Sequence, residues 1–257
     1  MSATAWPYPR HIAHRGAGRL APENTIVALN TGWQHGYRMF EFDAKLTSDG
    51  KVVLMHDDTL ERTTDGVGPI ATRSWDEIQL LDAGYWHSAA MAGERVPDLD
   101  RAADWLIERG AFANIEIKPC RGRETETGVA VALAAVRCWA GIDPPPLLSS
   151  FSVDALVAAR QSAPDLPRGL LFARPPADCI ERALELECVS LHVDWRAVDA
   201  ELLRAAHAVG ARVLGPGSYG FLRHGQDDAP TVNASLSARM PEPGRLGLLC
   251  QSAPMAV

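Results

Sequence analysis

Met39-Phe40-Glu41-Phe42-Asp43-Ala44-Lys45-Leu46 reads as a β-strand. Residues two apart on a strand share a face, so Glu41 and Asp43 aim two carboxylates at one point. The turn residues Ser48-Asp49-Gly50 separate this strand from a further apolar run, Lys51 to His56, which ends in His56-Asp57. Upstream, His11 to Gly16 reads as a strand closing on His14-Arg15-Gly16. A helix start follows near Glu23-Asn24-Thr25, directly after Pro22.

Downstream the chain keeps alternating short apolar runs with amphipathic stretches, as repeated βα units do. Strands are expected at Phe112 to Lys118, Leu147 to Phe151, Gly169 to Phe172, Val189 to Val193 and Arg212 to Leu214. Helices are expected at Asp98 to Gly110, Gly128 to Trp139, Val153 to Arg160, Cys179 to Leu186 and Glu201 to Val209. Counting Lys51 to His56 as an extension of the second strand gives seven barrel strands. Eight would close a TIM barrel, whose usual length of about 250 residues suits a single domain of 257. An open doubly wound sheet is the competing architecture, but no Gly-rich dinucleotide fingerprint follows the first strand. The expected fold is therefore α/β, a TIM (β/α)8 barrel. The stretch from about Asp57 to Pro97 breaks the rhythm with turns, Trp75 and Trp86. After a strand's carboxyl end it reads as an insertion covering the active face, a lid or substrate-facing cap.

Composition narrows the function. A formal net charge of −7 argues against binding nucleic acid through the overall field, while a local basic pocket for a small anion stays open. No stretch is long and apolar enough for membrane insertion, and the amino terminus lacks the marks of a signal peptide. The five cysteines (Cys120, Cys138, Cys179, Cys188 and Cys250) are scattered with no CxxC pair. They read as reduced thiols in a cytoplasmic protein.

The chemistry-bearing residues form one set: His14, Arg15, Glu41, Asp43, His56, Glu116 and Lys118. Three carboxylates supply hard oxygen ligands suited to Mg²⁺ or Ca²⁺. Without a cation their mutual repulsion is costly. Taken alone, Glu41 and Asp43 could equally be the solvated face of an edge strand. Imidazoles titrate near neutrality and can give or take a proton. Arginine and lysine offset charge on phosphate oxygens, although Lys118 could instead only pair with Glu116 or Asp43.

These residues sit in ordered blocks that resemble the glycerophosphodiester phosphodiesterases. The blocks are His14-Arg15-Gly16, Pro22-Glu23-Asn24-Thr25, Glu41-Phe42-Asp43, Thr47-Ser48-Asp49-Gly50, His56-Asp57, Leu60-Glu61-Arg62-Thr63-Thr64, Val96-Pro97, Glu116-Ile117-Lys118-Pro119 and Ser149-Ser150-Phe151. Their order and spacing match that family over roughly residues 11 to 214. The resemblance implies a TIM barrel with a small insertion after the second barrel strand. It also implies a metal-dependent hydrolase that cleaves glycerophosphodiesters to glycerol 3-phosphate and an alcohol. Glu41, Asp43 and Glu116 would hold the metal, His14 and His56 would act as general acid and base, and Arg15 and Lys118 would bind the phosphate. Which histidine is acid and which base stays open, as does the nucleophile. Asp57 is expected to orient His56 or cap the following turn. Phe151 reads as an apolar wall for the glycerol or as core, and His192 as a weak site candidate. His11, His35, His87 and His207 take structural readings.

After Leu214 the chain departs from the family. Gly215-Pro216-Gly217-Ser218-Tyr219 and a polar stretch intervene before the faint echoes Thr231-Val232-Asn233 and Gly244 to Cys250. Pro241 and Pro243 interrupt the helix expected between them. The divergent segment 215–257 thus makes the eighth βα unit atypical. A missing last strand exposes two sheet edges, which a homo-oligomer or a covering loop would relieve. Two other functions compete: a lipid phosphodiesterase of the same fold, and a catalytically impaired barrel that only binds phosphodiesters.

Overall fold

The computed structural model describes residues 6–214 and 247–251. Its centre is a curled, mostly parallel sheet of nine strands. In chain order these are β1 (Ile12–Ala13), β2 (Met39–Leu46), β3 (Val52–Leu54), β4 (Phe112–Ile117), β5 (Leu147–Ser150), β6 (Arg168–Phe172), β7 (Ser190–Asp194), β8 (Arg212–Leu214) and β9 (Gly247–Gln251). Around the sheet lie α1 (Ile26–Gln34), α2 (Trp75–Ile78), α3 (Leu99–Glu108), α4 (Glu124–Cys138), α5 (Val153–Ser162), α6 (Cys179–Glu185) and α7 (Ala200–Ala208). The alternation of strands and helices is the α/β arrangement of a TIM barrel, with β3 as an antiparallel hairpin extension of β2.

All eight residues of β2 are buried, because both faces of the sheet are covered. Phe40, Phe42, Ala44 and Leu46 pack outward with Leu99, Trp105, Ile115 and Val131 in the main apolar core. Glu41, Asp43 and Lys45 occupy the opposite face. On β4 the same alternation sends Ala113, Ile115 and Ile117 into the core and leaves Asn114 and Glu116 on the polar side. A separate core under α6 and α7 joins Leu170, Leu191 and Val193 to Ile180, Ala183 and Leu203.

Side-chain caps fix several helix starts. Thr25 accepts from the Ala28 amide (3.2 Å), Asp98 from Arg101 (2.9 Å), Ser152 from Ala155 (3.2 Å) and Asp199 from Leu202 (2.8 Å). Such a cap is worth about 1 kcal/mol. The stretch between β3 and α3 holds only short turns and α2, whose start is a capping box of Ser74 and Glu77. Leu60, Ile70, Ile78 and Val96 give it a small core shared with Val53 and Met55.

Two expectations need correcting. The first strand stops at Ala13, and His14–Gly16 form a tight turn instead of continuing it. The cause is close packing: a Cβ on Gly32 of α1 would stand 2.1 Å from the Gly16 carbonyl oxygen, so the turn lies directly against the helix. The second correction concerns strand order. Consecutive barrel order would put Arg212–Leu214 beside β7, yet Gly247–Gln251 takes that place and pairs in parallel with both. It matches β7 over five positions and β8 over three, so the longer strand takes the longer partner. Among the described residues no ladder joins β8 back to β1. The Thr231-Val232-Asn233 echo and the prolines at 241 and 243 lie outside the described residues.

Candidate active site

Adjacent parallel strands put the acidic groups side by side. Asp43 is in register with Glu116 across the β2–β4 ladder, and Glu41 precedes Asp43 by one full pleat. One carboxylate oxygen from each of Glu41, Asp43 and Glu116 lies within 4.8 Å of the others. All three are buried, with 2%, 1% and 4% of their surface exposed.

The His14-Arg15-Gly16 turn closes over this trio. Arg15 sits in the left-handed region (φ 50°), which costs about a kcal/mol or more for a side chain with a Cβ. In that conformation its amide donates to Glu41 Oε2 (2.9 Å) and its Nε faces Asp43 Oδ2 (3.3 Å). Arg15 Nη1 donates to Glu23 Oε1 (2.7 Å). His14 Nε2 stands 3.8 Å from Glu41 Oε2. Asn24, also left-handed (φ 59°), donates from Nδ2 to Asp43 Oδ2 (2.8 Å) and accepts the Asp43 amide on Oδ1 (3.1 Å).

From the other side Lys118 Nζ pairs with Glu116 Oε1 (2.7 Å) and Asp43 Oδ1 (3.5 Å). Asp43 thus lies between two cations, one at each oxygen. The β2–β3 hairpin delivers His56: the Met55 amide donates to the Asp43 carbonyl (3.0 Å), so the next residue emerges beside the trio. His56 Nδ1 bonds Asp57 Oδ1 (2.6 Å), which fixes the orientation of the ring and turns its other nitrogen, Nε2, away from Asp57.

Electrostatics divide the group. Burial, then the charges of Asp43 and Glu116, push the Glu41 carboxyl well above its usual range. Burial and Asp43 also raise Glu116, against the pull of Lys118. Burial would raise Asp43 too, but Arg15 and Lys118 outweigh it and take Asp43 down to about 2. Burial first, and the Arg15 charge second, lower His14 to about 4, so its imidazole is neutral at pH 7. The hydrogen bond from His56 and the pairing with Arg62 hold Asp57 below its ordinary value.

The residues fit a divalent cation. Glu41 Oε1 is a buried acceptor with no hydrogen-bond partner, and hard oxygens of three residues on two adjacent strands, β2 and β4, converge where further negative charge is resisted. All seven sequence candidates come together: six by direct contact, and His56 close enough for its charge to act on His14, Asp43 and Glu116. Asp57 orients His56, one of the two readings given to it. The pairing foreseen as the bland reading of Lys118 is present. Phe151 is 48% exposed, which removes the core reading, and its ring lies 5.5 Å from Lys118 Nζ. His192 is buried and bonded to Ser190 Oγ (2.9 Å), on the opposite side of the sheet order from β2.

Three further residues, Glu23, Asn24 and Arg62, contact the site without having a role assigned from the sequence. The sequence places Glu23 and Asn24 at a helix start and, with Arg62, inside blocks shared with the family, but assigns none of them a role; α1 itself begins later, at Ile26. An Asn in a turn just before a cap tolerates positive φ, and that was the available signal.

An acidic trio on two parallel strands, between two cations and with two imidazoles close by, defines a hydrolase of the metal-assisted, phosphate-ester class. The chain belongs to the glycerophosphoryl diester phosphodiesterase family, whose model matches residues 14–217. It is 33% identical over 203 residues to a glycerophosphodiester phosphodiesterase of Caldanaerobacter subterraneus, covering 79% of this chain and 83% of that one. A Bacillus subtilis glycerophosphodiester phosphodiesterase is 32% identical over 217 residues, covering 77% and 73%. Among solved structures, an Oleispira antarctica phosphodiesterase in complex with the product sn-glycerol-3-phosphate superposes with a TM-score of 0.74. It shares 37% identity over 79% of this chain and 82% of that chain.

Proposed function

We propose that this chain hydrolyses glycerophosphodiesters to glycerol 3-phosphate and an alcohol, using a divalent cation held by Glu41, Asp43 and Glu116. One observation carries the reading: the buried trio with its unpartnered Glu41 Oε1, flanked by Arg15 and Lys118. When bound, the cation would supply positive charge against the phosphate oxygens. Arg15 commits Nη1 to Glu23 and turns Nε to Asp43, which leaves Nη2 for a phosphate oxygen. Lys118 adds a point charge beside it. His14, neutral through burial, takes the proton of the nucleophile, and His56, backed by the Asp57 carboxylate, returns one to the leaving oxygen. Phe151 stands at the rim as an apolar wall for the glycerol.

Mg²⁺ or Ca²⁺ suits the all-oxygen donor set. The same reading gives the protein a small-molecule substrate, no nucleic-acid partner and a cytoplasmic location. The free cysteines Cys120, Cys138, Cys179 and Cys188 support the location. Among the described residues no helix is long and apolar enough to cross a membrane. A homo-oligomer would cover the strand edges at β1 and β8.

The test is release of glycerol 3-phosphate from glycerophosphocholine. Turnover is expected with Mg²⁺ or Ca²⁺ and is expected to vanish with EDTA. Binding without release would favour the impaired barrel, and equal rates on lipid vesicles would favour the lipid phosphodiesterase.

A further inference from the structure

Arg62 lies in the stretch after β3 and makes a two-sided clamp. Its Nη1 and Nη2 grip Glu23 Oε2 (2.9 Å) and Oε1 (2.7 Å). Its Nε and Nη2 grip Asp57 Oδ2 (2.5 Å) and Oδ1 (2.9 Å). Both carboxylates are shared with residues of the site. Glu23 Oε1 also takes Arg15 Nη1, and Asp57 Oδ1 also takes His56 Nδ1. One guanidinium therefore joins the histidine after β3 to the arginine after β1, two groups that do not otherwise touch through any described contact.

The geometry is stronger than a fold-stabilising role requires. Arg62 is 45% exposed in its side chain, and solvent-exposed ion pairs contribute about 0–1 kcal/mol to stability. Ideal bidentate forks within a network are the exception, and Arg62 forms two. Neither fork is directed into the small apolar core beneath the loop. Both reach carboxylates less exposed than Arg62 itself, whose remaining side-chain contacts are with Arg15 and His56. Lysine could supply the charge at this position but not two planar forks.

We propose that Arg62 is a positioning residue: through Glu23 and Asp57 it fixes Arg15 and the His56 imidazole in one mutual geometry. This rests on the reading of His56 as a proton-transfer group and Arg15 as a phosphate ligand. Misplacing reacting groups by about 1 Å costs on the order of a hundredfold in rate, so the effect falls on kcat.

The experiment compares wild type, Arg62→Gln, Arg62→Lys and Arg62→Gly on glycerophosphocholine. Expected are a kcat loss of roughly ten- to a hundredfold for Gln with KM changed far less, partial recovery with Lys, and a Tm close to wild type. Added guanidinium at millimolar concentration is expected to restore kcat to Arg62→Gly but not to Asp57→Asn. A spectroscopic readout is independent of turnover: the downfield Nδ1 proton of His56, assigned by its loss in His56→Gln, is expected to shift in Arg62→Gln. An unchanged kcat and an unchanged proton resonance in an active enzyme would overturn the positioning role alone. A kcat loss that only tracks the folded fraction, with no guanidinium rescue, would overturn it too. Failure of wild type to release glycerol 3-phosphate would instead overturn the functional reading beneath it.

Discussion

The β1–β2–β4 side of the sheet and its β6–β7–β9 side are built from the same βα units, yet they carry different burdens. The first holds every proposed catalytic, phosphate-binding and metal-binding side chain, and buries carboxylates at the cost of disfavouring the ionised forms of Glu41 and Glu116. The second presents Ser190 and His192 on its polar side and has a conventional apolar layer against α6 and α7. The difference separates chemistry from closure. Strands that carry the site are tied by a long ladder and by side-chain bonds to their own loops, as Asn24 and Arg15 show. The irregular order at β9 and β8 falls at the other end of the strand order.

The sharpest way to break this contrast is kinetic. His14→Ala and His56→Ala should each lower kcat by about 10²–10⁴, the usual worth of a positioned acid or base. The two should then part company on leaving group. A glycerophosphodiester of p-nitrophenol needs little protonation, so His56→Ala should lose far less on it than on the choline ester, while His14→Ala should lose equally on both. Equal losses for His56→Ala on the two esters would reverse or void the assignment of acid and base. On the other side, Leu191→Ala removes a fully buried side chain of the second core. It should cost about 2–5 kcal/mol of stability and leave kcat per folded molecule near wild type.

The sequence made the first region far more legible than the second, for physical reasons. A period of two in Glu41-Phe42-Asp43 and in Glu116-Ile117-Lys118 fixes which side chains share a face, and that geometry is local. Asn24 and Glu23 were hidden because a proline followed by polar residues signals a helix start equally well. Only the left-handed turn at Asn24 sends its amide to Asp43 instead. Arg62 was hidden because its two partners lie 39 and 5 residues away, beyond any periodic pattern. Strand order is the least local property of all. That Gly247–Gln251 lies between β7 and β8 follows from competition for a partner edge, which no run of residues announces by itself.

Metal linkage sharpens the contrast at intermediate size. In the folded, cation-free protein the Glu41 and Glu116 carboxyls titrate above their unfolded values. Their contribution to stability is therefore lost as pH rises from the ordinary carboxylate range through the raised folded values. A divalent cation needs them ionised and removes that loss, displacing protons as it binds. At a hundredfold excess over Kd the stabilisation is about 2.7 kcal/mol. The rise in Tm on adding Mg²⁺ or Ca²⁺ should accordingly be larger at pH 8 than at pH 5, and Glu41→Gln should shrink it. A metal-induced shift that is equal at both pH values would mean that the cation does not bind through these carboxylates.

The smallest effect belongs to the other side of the sheet and runs with the opposite sign. His192 is fully enclosed, and burial lowers its pKa to about 3. A Cβ on Gly169 would stand 2.7 Å from its Nε2, so the imidazole fills its site without slack. Because the folded value lies below the unfolded one, the neutral ring's contribution is present above pH 6.5 and is lost as pH falls toward 3. Between pH 7.5 and pH 5 that loss amounts to about 2 kcal/mol. His192→Asn should flatten this part of the stability profile, measured by urea unfolding at the two pH values, while kcat stays within about twofold of wild type because no proton of the reaction passes through it. Loss of turnover in a folded His192→Asn protein would join the two regions functionally and end the division drawn between them.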